Sequence, residues 1–450
     1  MTLTKSTLNN RFGYGIQPNM TNMSSVSNVL SDLAKPDFFQ KQFNRPSFKQ
    51  RLNLFNKLQK ARKDEQQNKT GSMQSVKDIQ KIIRTWVIKD VHAFISKAAL
   101  SENGFKERLV AFWNDHFTVS GRNQELMLAH GAYIDEAIRP NIAGKFSDIL
   151  KASATHPAML LYLDQHNSIG PNSIAGKKQK RGLNENLARE ILELHTLGVG
   201  GSYSQNDVRQ FAELLTGLTI GKVGSQFNPR FSEPGKKTIL GNSYGTNKPN
   251  LQPILDFLDD LSIHQETAHH IAKKLAIHFV SENPSKILVK AIRTAFIKSG
   301  GELMALYEAM LNHPDSAMPL GDKVKWPIQY VISSIRALNL SQGLSKASDK
   351  ELIDIHSAML KMGQDLFRPS GPDGWSEAAS YWITPPNLAA RIEWAGGLAN
   401  EHGQGVDPRI LIKQVLGDSA SEQLIYAVGD TESKWEGVAL LLISPEFNRH

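Results

Sequence analysis

The sequence predicts a mainly α protein: a multi-helix, bundle-like body with one small β-hairpin excursion around residues 225–245. Three observations carry that expectation. Apolar residues recur at i, i+3 and i+4 through most of the chain. Strand-like character is confined to one turn-rich stretch. Finally, hydrophobic residues make up 40% of the chain and charged residues 21%, the balance of a folded domain rather than a disordered tract.

Taken in order, the first helical signal is "SNVLSDLAK". The long "VKDIQKIIRTWVIKDVHAFISKAAL" and then "KERLVAFWNDHFTVS" follow it. Helical spacing continues at "GAYIDEAI", "KFSDILKASA", "NENLAREILELH" and "NDVRQFAELLTGL". Ser204 stands at a plausible N-cap of the last of these, with Asp207 three residues on, close to a capping box. The excursion comes next, in "FNPRFSEPGKKTILG" and "NSYG". Helices resume at "ETAHHIAKKLAIHFV", "PSKILVKAIRTAFIKSGG", "GELMALYEAMLNH" and "VKWPIQYVISSIRALNL", with Gly300–Gly301 as a helix stop. "FRPSGPDGW" reads as a rigid, irregular surface element carrying Trp375.

At about 150 residues per domain, a chain of this length suggests two or three units. Composition divides it into a basic helical N-terminal region (residues 1–90), a central helical core rich in motifs (91–320) and a C-terminal helical region (321–450). The net charge of +8 is unevenly placed: residues 1–90 hold 16 Lys/Arg against 6 Asp/Glu, so the remainder sums to −2. An anionic partner would therefore meet the N-terminal fifth, where "KQFNRPSFKQRLNLFNKLQKARK" interleaves phenylalanines with cations. Docking of its Phe and Leu side chains on the body is the stronger expectation, and nucleic-acid binding the weaker.

Absence of cysteine excludes disulfides, thiolate metal sites and cysteine nucleophiles. The start, "MTLTKSTLNNRFGYG", has no apolar run of the kind a secretory signal needs, and "VALLLI" is too short to cross a bilayer. The expectation is a soluble cytoplasmic protein, with export alongside a partner as the alternative. No P-loop, dinucleotide fingerprint or Gly-x-Ser-x-Gly elbow is present, and no cofactor or metal is identified from sequence.

The densest chemistry lies in "NENLAREILELHTLG". On a wheel of about 100° per residue, Leu187, Ala188, Ile191, Leu192 and Leu194 share one face, with His195 in its middle. Glu185, Asn186, Arg189, Glu190 and Glu193 take the opposite arc. Two readings stay open. In one, Glu185–Arg189 and Arg189–Glu193 are plain i, i+4 pairs on a solvated face. In the other, Glu190 and Glu193 are close carboxylates in a cleft, one with a raised pKa, and Arg189 orients them or an anionic substrate. His116 belongs to the buried stripe Leu109, Phe112, Trp113, His116 and Phe117 of another helix. It could converge with His195, or both could be satisfied core histidines. His269, His270 and His278 read as core or surface residues. The loop "DQHNSIGPNSIAGKKQKRG" carries the basic cluster Lys177-Lys178-Gln179-Lys180-Arg181 just before the charged helix.

Several of these stretches together, "NRFGYG", "FWNDHFTVS", "HPAMLLYLD", "NENLAREILELHTLGVGGSYSQNDV", "FNPRFSEPGKKTILG", "AHHIAKKLAIHFV", "GQDLFRPSGPDGW" and "LLISPEF", resemble in order and spacing the bacterial domain-of-unknown-function 1800 family. The resemblance covers nearly the whole chain. It implies no catalytic residue, because no activity is established for that family. Its members are often encoded beside the domain-of-unknown-function 1501 family, whose members tend to carry export signals and look similar to sulfatase-type hydrolases. That implies a partner of that kind and an exported or surface task. The sequence departs from the pattern at Asn114 and Ser232, where the family commonly carries histidine.

Three functions follow as expectations. The first is a hydrolase or transferase acting on a polar, polysaccharide-like substrate through Glu190, Glu193, Arg189, His116 and His195. The second is a non-catalytic assembly partner of a neighbouring exported protein, and the third is nucleic-acid binding through the basic N-terminal region.

Overall fold

Residues 48–100 form the first large unit, and its construction follows from charge and spacing. Ser47 and Gln50 close a capping box at the start of helix Phe48–Gln66. That helix folds back on the 29-residue helix Ser72–Leu100 and packs Leu54, Leu58 and Ala61 on Val76, Ile83 and Leu128. Lys49, Lys57, Lys60 and Lys63 stay exposed. The docking expectation for this stretch is met by those leucines together with Phe48, which is 3% exposed. The computed structural model describes residues 3–36, 39–179, 182–319, 321 and 323–450, without the side chains of Gln40, Lys41 and Gln179. The side chain of Lys41, at the head of the basic stretch, and residues Lys180 and Arg181 of the basic cluster thus lie outside what is described.

The fold is mainly α, with two small antiparallel hairpins. One pairs Leu218–Ile220 with Ser225–Phe227, the other Lys237–Ile239 with Asn242–Tyr244. The excursion thus begins before residue 225, and helix Gln205–Leu215 stops short of Leu218. Gly217, at φ +95°, turns the chain there into a conformation that costs other residues a steric penalty. Ser204 caps that helix in a complete capping box with Asp207. Helix Lys286–Ser299 ends on Gly300 at φ +66°, the left-handed stop that glycine supplies.

One large core cluster draws side chains from Leu8 through Phe447. Its centre is helix Gly104–His116 with its C-cap Phe117; Leu109, Trp113 and Phe117 are 0% exposed. Trp113 Nε1 donates to Tyr307 Oη at 2.7 Å, and that hydroxyl donates to the Ile142 carbonyl at 2.9 Å. Buried guanidinium groups tie distant segments to this centre. Arg336 donates to the carbonyls of Gly15, Ala99 and Ser101, and Arg11 to those of Ser316, Met318 and Pro319. Arg51 meets Asp90 at 2.7 and 2.8 Å, and Arg139 meets Glu107 at 2.9 and 2.6 Å. Val324 pairs with Arg449 in a bridge that lays the last residues against the segment leading into helix Pro327–Ala337.

Candidate active-site cleft

Helix Gly104–His116 ends inside the core, and its last residues are the first part of the site. Asp115 stays partly accessible while His116 is 2% exposed. The "FRPSGPDGW" element does not stand out from the surface. It folds onto this helix end, with the Trp375 backbone N–H donating to Asp115 Oδ1 at 2.9 Å. Gly374 makes the approach possible: it adopts φ +84°, and a Cβ there would collide with the Asp115 carboxylate. Trp375 then packs against Trp382, their ring centroids 5.7 Å apart and their planes tilted by 52°.

The second part is the charged helix. It is α-helical over Asn186–Glu190 and widens to a π-helix over Ile191–Thr196. Its terminal carbonyls take imidazole donors instead of helix N–H groups. His116 Nε2 lies 3.1 Å from the His195 carbonyl, and His270 Nε2 lies 3.0 Å from the Leu194 carbonyl. A carbonyl only accepts, so both rings carry their proton on Nε2. Nδ1 of His116 is left buried without a partner among the described residues. The His116 ring lies 6.0 Å from that of His195 and 6.2 Å from that of His270, centroid to centroid. Burial drives all three towards the neutral form. His195 falls to about 3, His270 to about 4, and His116 well below the ordinary imidazole value. The two histidines singled out in the sequence therefore do meet. One of them holds the end of the helix that carries the other.

Helix Gln265–Phe279 supplies the third part. His270, Lys274 and His278 stand at i, i+4 and i+8 and so share a face. Lys274 lies within electrostatic reach of Asp115, Asp373 and Glu377, and burial lowers its pKa. His278 Nδ1 donates to Glu377 at 2.6 Å, and Lys323 Nζ grips the other carboxylate oxygen. Burial alone would raise Glu377, but these two partners outweigh it and hold the group down to about 2. His278 itself is pushed down to about 4 by burial, so Lys323 provides the positive charge and His278 a neutral N–H.

Asp115 behaves in the opposite way. Burial pushes its carboxyl up to about 8, opposed by the Trp375 N–H and Lys274 and reinforced by Glu377 and Asp373. Two carboxylates of one site are thus set far apart, the arrangement that lets one hold a proton while another stays ionised. Asp373, which is exposed, also reaches Glu190 and Tyr162 electrostatically. Asp115, Lys274, Glu190 and Glu377 are each partly open to solvent. Next to them is an inner cavity of about 30 Å³ lined by Asn114, Asp115, His130 and Trp375. Asn114 Oδ1 and His130 Nε2 are lone-pair acceptors there with no donor among the described residues. A water molecule or a small hydroxyl group fits that volume.

The charged arc divides. Arg189 spans Glu185 and Glu193, at 3.2 Å each, and reaches Gln205 Oε1 at 3.0 Å. Those residues form a ladder along the helix surface. Glu190 turns away from it towards Tyr162 and Asp373; burial raises its pKa, with Glu193 adding to the effect. Asp115, Lys274, Asp373 and Glu377 were not among the residues singled out from sequence. For Lys274 a signal existed in its spacing midway between His270 and His278. Nothing local marks Asp373 or Glu377. Among the described residues no group of three or more His, Asp or Glu side chains is disposed to hold a metal ion.

A protein-family model described as "Protein of unknown function (DUF1800)" matches residues 7–449. Neither the curated proteins nor the solved structures contain a match.

Proposed function

Because the chain belongs to the DUF1800 family, whose description assigns no activity, we propose its function from the cleft: acid–base hydrolysis or group transfer on a polar substrate. The observation that carries this reading is the Asp115 carboxyl, pushed up to about 8 beside Lys274 in a partly open cleft. A carboxyl protonated at neutral pH can donate to a leaving oxygen or nitrogen. In this reading Glu190, half-buried and within electrostatic reach of Asp373, takes a proton from water or an acceptor hydroxyl. Lys274, within electrostatic reach of Asp115, offsets negative charge that develops there. Glu377, fixed by His278 and Lys323, positions the loop that brings Asp373 and Trp375 to the site. His116 and His270 hold the π-helix so that Glu190 faces the cleft, and Arg189 and Glu193 steady its outer side.

The test is turnover of chromogenic glycosides, esters and phosphoesters by the purified chain. Asp115→Asn should lower the rate by about 10²–10⁴-fold, the usual contribution of a general acid. Turnover that survives both Asp115→Asn and Glu190→Gln unchanged, in variants that melt no lower than wild type, refutes the reading.

A second reading is assembly with a partner, for which a domain-of-unknown-function 1501 protein is the candidate. It is favoured by Tyr381, Ile383, Leu388 and Ile392, which are 40–49% exposed within one short stretch. Co-purification with that partner, lost in Leu388→Glu/Ile392→Glu, is its check.

A further inference from the structure

Beside the cleft, the same helix forms one wall of a second concavity. The row His269, Lys273 and Ile277 neighbours the row that enters the cleft and faces helix Lys286–Ser299 across a groove of about 590 Å³. That volume is in the range of small-molecule sites. The floor is apolar, with Ile277, Pro284 and Val289. Its rim is cationic. Lys286, Lys290 and Arg293 follow one another at i, i+4 and i+7 on one helix face, opposite Lys273. Like charges at that spacing repel and weaken a helix, so the row is not there for helix stability.

Nor are these charges neutralised. None of Lys273, Lys286 and Lys290 forms an ion pair with another described residue, and all three are exposed. Arg293 donates to the neutral amide of Gln265 at 3.0 Å, and its Nε–H is buried without a partner among the described residues. A single acid, Glu282, lines the groove, and its Oε1 already accepts the Ala379 N–H at 2.5 Å. His269 is the remaining titratable group on the rim.

We infer that this groove is a binding site for a small phosphorylated anion, its phosphate oxygens taken by Lys273, Lys286, Lys290 and Arg293 and its body resting on Ile277 and Val289. Clustered cations over a low-dielectric floor concentrate field on such a ligand. Arginine and lysine are the side chains that recognise phosphate. The inference does not rest on the acid–base reading of the cleft.

Calorimetric titration of the full chain with tripolyphosphate at low ionic strength tests it. One site per chain is expected. Lys273→Glu/Lys290→Glu should weaken binding by about tenfold or more, as charge reversal at a charge-recognising site does. Lys77→Glu/Lys81→Glu, equally exposed cations on helix Ser72–Leu100, should leave it unchanged. Equal weakening by both double variants would reduce the effect to net charge and overturn the site, as would no binding at all. Retention on phosphatidylglycerol vesicles that tripolyphosphate does not displace would overturn it in favour of a lipid surface. Asp115→Asn should bind tripolyphosphate like wild type, so the outcome is read independently of any turnover.

Discussion

Replacing Asp115 by Asn should make the protein more stable than wild type at alkaline pH, by an amount that grows with pH. The ordinary carboxyl value of 3.8 is pushed up to about 8 in the folded chain, chiefly by burial. Between those values the folded state keeps a proton that the unfolded state has released. Stability therefore falls as pH rises through that window, by at most about 1.4 kcal/mol per unit. Full desolvation over about four units would give about 6 kcal/mol. Asp115 retains partial solvent access, so about half or less applies. Asparagine keeps the Oδ1 acceptor for the Trp375 N–H and has no charge to bury. The stability of the variant relative to wild type should grow by about 2–3 kcal/mol between pH 5 and pH 8. Urea midpoints at four pH values measure the slope, and the infrared band of a protonated carboxyl, lost in the variant at pH 7, identifies its source. A pH-independent difference together with no lost band would show Asp115 ionised in the folded chain, and the general-acid role would fall with it.

Gly374→Ala should destabilise by about 1–3 kcal/mol or more, since alanine must adopt φ +84° and also displace the Asp115 carboxylate. Differential scanning calorimetry would register it; a wild-type melting temperature would mean that the loop does not approach Asp115 as described. His116→Phe removes the donor to the His195 carbonyl and should cost about 1–3 kcal/mol at pH 7.5. Because the folded-state pKa of His116 is depressed, wild type loses this residue's share of stability as pH falls below about 6.5, where the unfolded imidazole takes up a proton. The penalty of the variant should therefore shrink towards pH 5, and a penalty constant with pH in chemical denaturation would contradict a buried neutral ring. Arg189→Ala, by contrast, breaks two pairs on a side chain that is 36% exposed and should cost less than about 1 kcal/mol. A larger loss of stability would place the Arg189 ladder in the interior.

Local features account for what was legible in advance. The i, i+3, i+4 pattern alone places Phe112, Trp113, His116 and Phe117 on one buried stripe, because a helix face is a property of spacing. Ser204 with Asp207, and Gly300, mark helix ends because capping uses groups within a few residues of one another. The wheel also puts Arg189 between Glu185 and Glu193 and His195 on the buried side, although the π turn leaves Leu194 only half-buried where a regular helix would bury it. The hairpins were harder to bound: each strand is three residues long, too short for alternation to declare its start.

By itself, then, the sequence determined the helical class, the absence of thiol chemistry, the buried faces carrying His116 and His195, and the membership that its spaced motifs suggested. Tertiary structure alone decided which charged groups share a site. Asp115, Lys274, Asp373 and Glu377 come from three segments separated by 99 residues or more, and the pKa values of Asp115, Lys274 and Glu377 depend on burial and neighbours that no local window contains. The same holds for Glu190. It is chemically identical to Glu193 three residues later, yet only one of them is held by Arg189. The difference is set by what packs across from the helix, because electrostatic energy depends on distance through space and on the medium between the charges.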